Sequence, residues 1–176
     1  MPWYRRHGKL VIPMEEVDFL RAMETGKFVK FQHRAFAVLL YYTAIRRGEA
    51  LRTVPEMFQI TENEIVFDVG VRLKHGIQTP PLKIPRTAKY AEDLVFAIQN
   101  TFENSKIFPF SEKTAWNIIE RAFGSYPHYF RLSRITNFFE SGWSIAQVRS
   151  WTGLTLQALN YYVGTVDIDK MSKSLK

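Results

Sequence analysis

One segment with a two-residue hydrophobic period interrupts a chain that otherwise has helical periodicity. It is "FQITENEIVFDVGVRLKHGIQTPPLKIP", residues 58–85, and its alternating β-formers are Ile65, Phe67, Val69 and Val71. Lys74-His75-Gly76 is a turn signal, and Pro80-Pro81 restricts the last strand to the edge of a sheet. The segment therefore predicts a small antiparallel sheet of two or three strands, with Lys74 at or near a hairpin tip.

Helical patterns account for most of the remaining chain. They cover residues 12–26, 32–52, 88–102, 111–124, 125–142, 144–153 and 154–164. Together with the sheet they predict an α+β fold that is mostly helical, with the small antiparallel β-sheet inserted after the second helix.

The first two helices have different hydrophobic patterns. In residues 12–26, apolar Val17, Leu20 and Met23 have helical spacing, and Gly26 stops the helix. The second, residues 32–52, is more apolar and becomes charged abruptly at Arg46. We therefore expect a buried helix that carries a charged end to a surface or cleft.

Two later helices have recognisable ends. Ser111 is a suitable N-cap for the helix in residues 111–124. Ser144 and Gln147 have the spacing of a capping box, and Gly153 is a suitable C-terminal stop for the same helix.

The composition bounds the class of protein. At 176 residues, with 46% hydrophobic and 23% charged residues, the chain is predicted to form one compact globular domain. It has no cysteine, which excludes a disulfide framework, a thiolate nucleophile and a cysteine-based zinc site. The four histidines, His7, His33, His75 and His128, lack the spacing of a metal motif. We expect neither a metal site nor a cofactor.

The charge balance favours a polyanionic partner. Lysine and arginine outnumber the acids 24 to 17, so the net charge is +7, which is typical of proteins that bind nucleic acid. No stretch has the length of a signal peptide's apolar region or of a membrane span. We expect a cytosolic protein with no membrane partner.

Each notable polar residue has a structural explanation when it is taken alone. Arg46 suits a solvated helix end or an ion pair with Glu49, three residues on. Lys74 suits a turn, and His128 suits a helix cap or the surface. Tyr161-Tyr162 suits an apolar helix with its hydroxyls at the rim.

Four stretches, taken in order, nevertheless resemble motifs of the tyrosine recombinase, or phage integrase, catalytic domain. They are "YYTAIRRGEAL" (41–51), "RLKHGIQTPPLKIP" (72–85), "HYFR" (128–131) and "WTGLTLQALNYYVG" (151–164). That family has a TGxRxxE box, a lysine on a β-hairpin before a PL or IP stretch, and an HxxR box. A GH or GW element and a C-terminal tyrosine follow. The resemblance covers roughly residues 12–165.

The resemblance implies a set of catalytic residues. They are Arg46, Lys74, His128, Arg131 and Tyr162, with Tyr161 as the alternative nucleophile. "TLQALNYY" (155–162) is similar to the family's SLxxTxxY ending, which favours Tyr162, whereas a loop of ordinary length after Gly153 favours Tyr161. Glu49 is implied as the acid that supports Arg46. Arg134, three residues after Arg131, has no counterpart and is interpreted as a solvated helix edge.

Three positions depart from the family pattern. Ala44 replaces the glycine of the first box, a change that a helix tolerates, and Leu132 stands where many members have a second histidine. Leu154 stands where the family has the histidine or tryptophan of its GH or GW element. Trp151 is the candidate for that supporting role, provided that the loop is rearranged.

The implied reaction explains why these residue types are needed. Attack by a tyrosine adds negative charge to a phosphate, and two guanidinium groups, Arg46 and Arg131, can hold that charge without titrating. His128 could transfer a proton, because imidazole titrates near neutrality. By family analogy Lys74 protonates the leaving 5′ hydroxyl. The product is a 3′-phosphotyrosyl link that needs neither ATP nor a metal for religation.

The resemblance also implies the partners. We expect double-stranded DNA, bound mostly through phosphates, and a homo-oligomer that is a tetramer on synapsed DNA and a monomer or dimer when free. The host cytoplasm and a mobile element such as a virus or plasmid are the expected setting. The candidate DNA-binding residues are Arg5, Arg6, Lys27, Lys30, Arg34, Arg47 and Lys74.

The expected domain is a single catalytic unit over residues 1–176, with residues 165–176 as a C-terminal tail that is frayed or packs on a neighbouring protomer. It lacks the family's N-terminal core-binding domain, so the sequence is either a minimal recombinase or a fragment of a longer chain. Two rival functions stay open. One is a degenerate, non-cleaving DNA-binding regulator, and the other is a DNA-relaxing enzyme similar to type IB topoisomerases.

Overall fold

The computed structural model describes residues 4–6, 9–11, 13–72, 76–160 and 162. It begins with a two-stranded antiparallel hairpin, β1 (Tyr4–Arg6) and β2 (Lys9–Val11), in which Arg5 is paired with Leu10. The sequence does not predict this hairpin, because strands of three residues are too short to show a hydrophobic period.

Helix α1 (Glu16–Thr25) ends before Gly26 as predicted, and of its predicted apolar residues Met23 is buried and Leu20 packs against the core. Its buried residues are Phe19 and Met23, four apart, whereas Val17 is 54% exposed. The prediction is wrong at Val17, because the Phe19 ring enters the core in its place and stacks on Tyr41 at 3.8 Å.

The predicted continuous helix over residues 32–52 is two helices. Helix α2 (Phe31–Thr43) ends at Ala44, which has left-handed backbone angles (φ 55°, ψ 22°), and helix α3 (Arg47–Leu51) starts from Arg46 as its N-cap. A left-handed residue cannot continue a right-handed helix, so the expectation that Ala44 is simply accommodated within a helix is wrong. This break turns Arg46 away from the axis of α2.

The chain then forms the predicted sheet. After a 3₁₀ turn (Pro55–Met57), strands β3 (Phe58–Ile60), β4 (Glu64–Phe67) and β5 (Leu82–Pro85) pair antiparallel in the order β3-β4-β5. The proline-flanked β5 is an edge strand, as predicted. The sheet follows the short α3 and not the second helix, since residues 32–52 are divided.

The connection between β4 and β5 is less regular than the predicted alternation. Val71 forms only an isolated bridge with Gln78 and is 56% exposed, so the strand period does not extend to it. Lys74, the predicted hairpin-tip residue, lies outside the described residues.

Four further helices follow the sheet. They are α4 (Ala91–Gln99), α5 (Glu112–Phe123), α6 (Pro127–Glu140) and α7 (Ile145–Thr152). The Ser111 N-cap, the Ser144–Gln147 capping box and the left-handed stop at Gly153 are confirmed. Residues 156–160 and 162 are also helical.

Helix α2 lies at the centre of the fold, with α4, α6 and β5 packed around it. A smaller apolar cluster lies between α6 and α7. Its buried members are Ala44, Ile135, Phe138, Phe139, Val148 and Leu159. Arg134 is half-buried with its guanidinium over the rings of Tyr41 (4.7 Å) and Phe138 (5.0 Å), so its interpretation as a solvated edge is wrong.

No helix within the described ranges has the length and apolar character needed to cross a membrane.

The conformation of Ala44 gives a stability test with a matched control. Ala44 and Ala37 are both fully buried in the α2 region, but only Ala44 is left-handed. Ala37→Gly should cost about 2 kcal/mol, from the lost methyl group and the lower helix propensity of glycine. Ala44→Gly loses a similar methyl group but relieves about 1 kcal/mol of backbone strain. Urea unfolding should therefore show the smaller loss for Ala44→Gly, and equal losses would contradict the left-handed assignment.

Candidate functional site

The candidate site lies where the carboxyl ends of two helices meet. The last carbonyl groups of a helix lack partners within that helix, and they carry the negative end of its dipole. Here Thr43 and Ala44 at the end of α2, and Trp151 and Thr152 at the end of α7, each present such a carbonyl to a side chain. Two of the donor side chains are arginines, so positive charge is concentrated at this junction.

Arg131 joins the two helix ends. It lies on α6, is only 2% exposed, and donates from its two amino groups to the carbonyl oxygens of Ala44 (2.6 Å) and Thr152 (3.0 Å). Both acceptors are neutral, whereas a buried structural arginine is normally paired with a carboxylate. In these two hydrogen bonds the positive charge of the guanidinium is therefore balanced by carbonyl dipoles and not by a carboxylate.

Burial and four neighbouring side chains change the pKa of Arg131. The pKa of Arg131 is lowered to about 9, mainly by burial and also by the positive charges of Arg46 and Arg72. Glu49 and Tyr162 raise that pKa in opposition. Arg131 remains charged at neutral pH, and the four residues that influence its pKa surround it from α3, the β4–β5 connection and the C-terminal helical segment.

Arg46 and Glu49 form the second part of the site. The backbone N–H of Arg46 donates to Glu49 Oε2 (2.8 Å), and its side-chain Nη1 donates to Oε1 (3.5 Å). The side chain of Glu49 is fully buried, while that of Arg46 is 19% exposed. The carboxylate therefore orients a guanidinium that still reaches the surface, and the predicted Arg46–Glu49 pair is present in the structure.

Arg72 is a member of this cluster that the sequence analysis did not identify. Its side chain is fully buried, and it donates to Glu49 Oε2 (3.3 Å) and to the carbonyl oxygen of Trp151. Burial lowers the pKa of Arg72, and Glu49 opposes that effect. No periodicity marks this position, because it follows the regular part of β4, where alternation no longer predicts burial.

The two candidate nucleophiles differ in what the structure describes. Tyr162 is half-buried, packs against the small apolar cluster that contains Ala44, and lies close enough to Arg131 to raise the pKa of that guanidinium. Tyr161 lies outside the described residues. Tyr162 thus lies on the same side of the fold as the arginine cluster.

Trp151 and Leu154, the two residues considered in place of the GH or GW element, both contact neighbouring parts of the fold. The indole N–H of Trp151 donates to the carbonyl oxygen of Thr43 (2.9 Å), so it is used in joining α7 to α2. Leu154 is half-buried against the small apolar cluster. Trp151 therefore joins the ends of α7 and α2, and its supporting role in place of the GH or GW residue stays a prediction.

The remaining catalytic candidates are placed only in part. His128 is exposed in the first turn of α6, one turn before the buried Arg131. Lys74 is among residues 73–75, which lie outside the described ranges, so the structure does not test its place.

The candidate DNA-binding residues have different surroundings. Lys27 and Lys30 are exposed before and at the start of α2. Arg34 is held by Asp93 (3.1 Å) and the Met23 carbonyl oxygen (2.8 Å). Arg47 donates to Glu112 at 2.6 Å. Arg5 and Arg6 lie in β1, where only the backbone is described.

The chemistry of the cluster follows from its charges. Three arginines, Arg46, Arg72 and Arg131, surround one carboxylate, Glu49, in a largely buried location. The excess positive charge has been removed from water, so an anion that reaches Arg46 would be bound strongly. A phosphodiester is an anion with two nonbridging oxygens suited to such a group.

Solved structures with a similar fold come from DNA recombinases. The XerH site-specific recombinase bound to difH substrate has a TM-score of 0.71 and 15% sequence identity over 88% of this chain. The XerA recombinase has a TM-score of 0.64 and 16% identity over 86% of this chain. The Tn1549 transposon integrase in complex with circular intermediate DNA has a TM-score of 0.60 and 15% identity over 86%.

These similarities define the fold. The aligned region spans 51% of the XerH chain and 60% of the XerA and Tn1549 integrase chains. Neither a family model nor a curated protein sequence matches this chain. The helical architecture with its three-stranded antiparallel sheet therefore matches the fold of tyrosine recombinase catalytic domains.

Proposed function

We propose that this chain is the catalytic domain of a site-specific DNA recombinase or integrase. It cleaves and rejoins DNA strands through a 3′-phosphotyrosyl intermediate. The observation that carries the proposal is the buried guanidinium of Arg131, which is held on two neutral carbonyls beside a partly exposed Arg46. A scissile phosphate is the ligand whose charge complements this pair.

The proposed reaction is an exchange of phosphodiester bonds. The phenol oxygen of Tyr162 attacks the scissile phosphorus and forms a P–O bond, while the bond from phosphorus to the 5′ oxygen breaks. The phenol proton leaves to a base, for which His128 is the candidate, and Lys74 supplies a proton to the departing 5′ oxygen. Religation reverses these transfers, with a 5′ hydroxyl as the attacking group.

Arg46 and Arg131 act on the charge that develops during attack. The pentavalent transition state carries more negative charge on its nonbridging oxygens than the diester does. Because both arginines are fixed by Glu49 and by helix-end carbonyls, little reorganisation is needed when that charge appears.

The proximity of Tyr162 to Arg131 supports the choice of nucleophile. The two side chains lie close enough to interact electrostatically, and a negative charge on Tyr162 is stabilised by the positive charge of Arg131. Arg131 would thus favour the phenolate as well as bind the phosphate.

The proposed partner is double-stranded DNA, as in the recombinase and integrase complexes with a similar fold. We further propose that the protein forms a homo-oligomer on DNA, which is a tetramer when two sites are synapsed. The proposed setting is a mobile element in the host cytoplasm. The basic net charge of +7 supports a salt-sensitive phosphate interface.

The nucleophile is tested with a suicide duplex that carries a nick just 3′ of the scissile bond. Cleavage then releases a short fragment and traps the protein on the DNA. We expect the wild-type protein to form a covalent adduct, Tyr162→Phe to form none, and Tyr161→Phe to retain adduct formation. The measurement is a denaturing gel of labelled DNA. An adduct lost only in Tyr161→Phe would move the nucleophile to that residue.

The same assay separates the rival functions. Binding without any adduct, over a range of salt concentrations, would overturn the proposal in favour of a non-cleaving regulator. Relaxation of supercoiled plasmid without sequence preference would instead indicate a relaxing enzyme.

The arginine clamp is tested with two charge-matched variants on one helix. Arg131→Ala should lower the rate of adduct formation by about 10²–10³-fold, since it removes a preorganised donor from the transition state. Arg134→Ala removes the same charge one turn later, where the guanidinium stacks on Tyr41 and Phe138, and should retain the rate to within about threefold. Single-turnover kinetics at saturating DNA measure both. Equal losses would exclude a specific role for Arg131.

A further inference from the structure

We propose that Arg72 is a positioning residue that fixes Arg46 and Arg131 relative to each other. The inference rests on the proposed function and adds to it a residue to which the sequence motifs assign no role. Arg72 is fully buried and ion-paired with Glu49, so its positive charge is already balanced within the protein. It acts through the two groups that its amino nitrogens hold.

The first contact of Arg72 leads to Arg46. Arg72 Nη1 donates to Glu49 Oε2 (3.3 Å), the same oxygen that accepts the backbone N–H of Arg46 (2.8 Å). The other carboxylate oxygen accepts from the Arg46 guanidinium (3.5 Å). Arg72 therefore fixes the rotation of the carboxylate that orients Arg46.

The second contact of Arg72 leads to Arg131. Arg72 Nη2 donates to the carbonyl oxygen of Trp151, and the next carbonyl along the chain, that of Thr152, accepts from Arg131 (3.0 Å). Trp151 and Thr152 are the last two residues of α7, so their helical φ and ψ angles fix the orientation of one carbonyl relative to the other. Holding the Trp151 carbonyl thus holds the acceptor of Arg131.

The stem of Arg72 also packs directly on the end of α7. A Cβ atom at Gly153 would lie 3.0 Å from Arg72 Cγ and 3.2 Å from Arg72 Nε. Gly153 has φ +66°, so glycine is favoured there for its backbone as well as for this close approach. The absence of a side chain at Gly153 is what allows Arg72 to reach both Glu49 and Trp151.

An arginine is required for this role because its planar fork can bond two acceptors in different directions at once. A lysine has one nitrogen and cannot hold both with the same geometry. Buried ion pairs of this kind contribute little net stability, but they restrict the arrangement of the groups that they join. The Arg72–Glu49 contact is such an ion pair, and the second contact is a hydrogen bond to the neutral carbonyl of Trp151.

Two glycines provide a matched steric test. Gly153 and Gly124 both cap helices with positive φ, but a Cβ at Gly124 would have no heavy atom within 4 Å. Alanine at either position should destabilise the fold by a similar backbone strain, which urea unfolding measures. Only Gly153→Ala displaces Arg72, and it should lower single-turnover cleavage by about 10²-fold, the effect expected for a shift of about 1 Å in a catalytic group. Equal cleavage rates in the two folded variants would overturn the proposal.

Substitutions of Arg72 and Glu49 test whether Arg72 influences the cleavage rate through the Glu49 carboxylate that orients Arg46. Arg72→Lys and Arg72→Met should each lower the cleavage rate about 30-fold or more at saturating DNA, with DNA affinity changed by less than about threefold. The loss from Arg72→Met should be smaller in a Glu49→Gln background than in the wild type, because the route to Arg46 is already broken there. Full additivity, or loss of affinity in place of rate, would overturn the proposal.

A spectroscopic measurement keeps this inference separate from the proposed function. In ¹⁵N-labelled protein, the side-chain Nε–H resonances of Arg46 and Arg131 can be assigned by Arg46→Lys and Arg131→Lys. Both resonances should shift or broaden in Gly153→Ala and stay unchanged in Gly124→Ala. If the wild-type protein forms no adduct, the proposed function fails while this comparison still decides the role of Arg72. If both resonances were unchanged in Gly153→Ala, the positioning role of Arg72 would be excluded.

Discussion

The capture of helix-end carbonyls by buried arginines is the interaction on which the site depends. Two helices, α2 and α7, end at the same place, and each leaves carbonyl groups without partners in the helix. Arg131 bonds one carbonyl from each end, and Arg72 bonds another from α7. The helix dipoles favour positive charge at this junction. Charge that would be costly to bury elsewhere is thereby kept in a fixed geometry.

The break between α2 and α3 makes this arrangement possible. Had α2 continued through Ala44, the Ala44 carbonyl would be bonded within the helix and could not accept from Arg131. The left-handed conformation at Ala44 frees that carbonyl and makes Arg46 the N-cap of a new helix. One strained residue thus supplies an acceptor to Arg131 and changes the direction of the chain that carries Arg46, which explains why backbone strain is retained beside a candidate catalytic centre.

Much of the fold could be predicted, because its signals are local. The change of period at residues 58–85, the Ser111 cap, the Ser144–Gln147 box and the glycine stop at Gly153 all depend on residues close in the chain, and the structure contains each of them. The errors arose where distant contacts decide the outcome. Phe19 is buried instead of Val17 because its ring stacks on Tyr41, and Arg134 is covered because it packs on aromatic rings of α2 and α6.

The sequence by itself determined the type of most elements, the mainly helical α+β class and, through four ordered motifs, the candidate residues Arg46, Glu49, Arg131 and Tyr162. Only the tertiary structure decided that Arg72 belongs with them, that Trp151 joins two helix ends, and that Arg131 has carbonyl acceptors where a carboxylate would be usual. The physical reason is that a sequence pattern reports which residues share a face of one helix or strand. It does not report which donors meet the unpaired carbonyls where separate helices end.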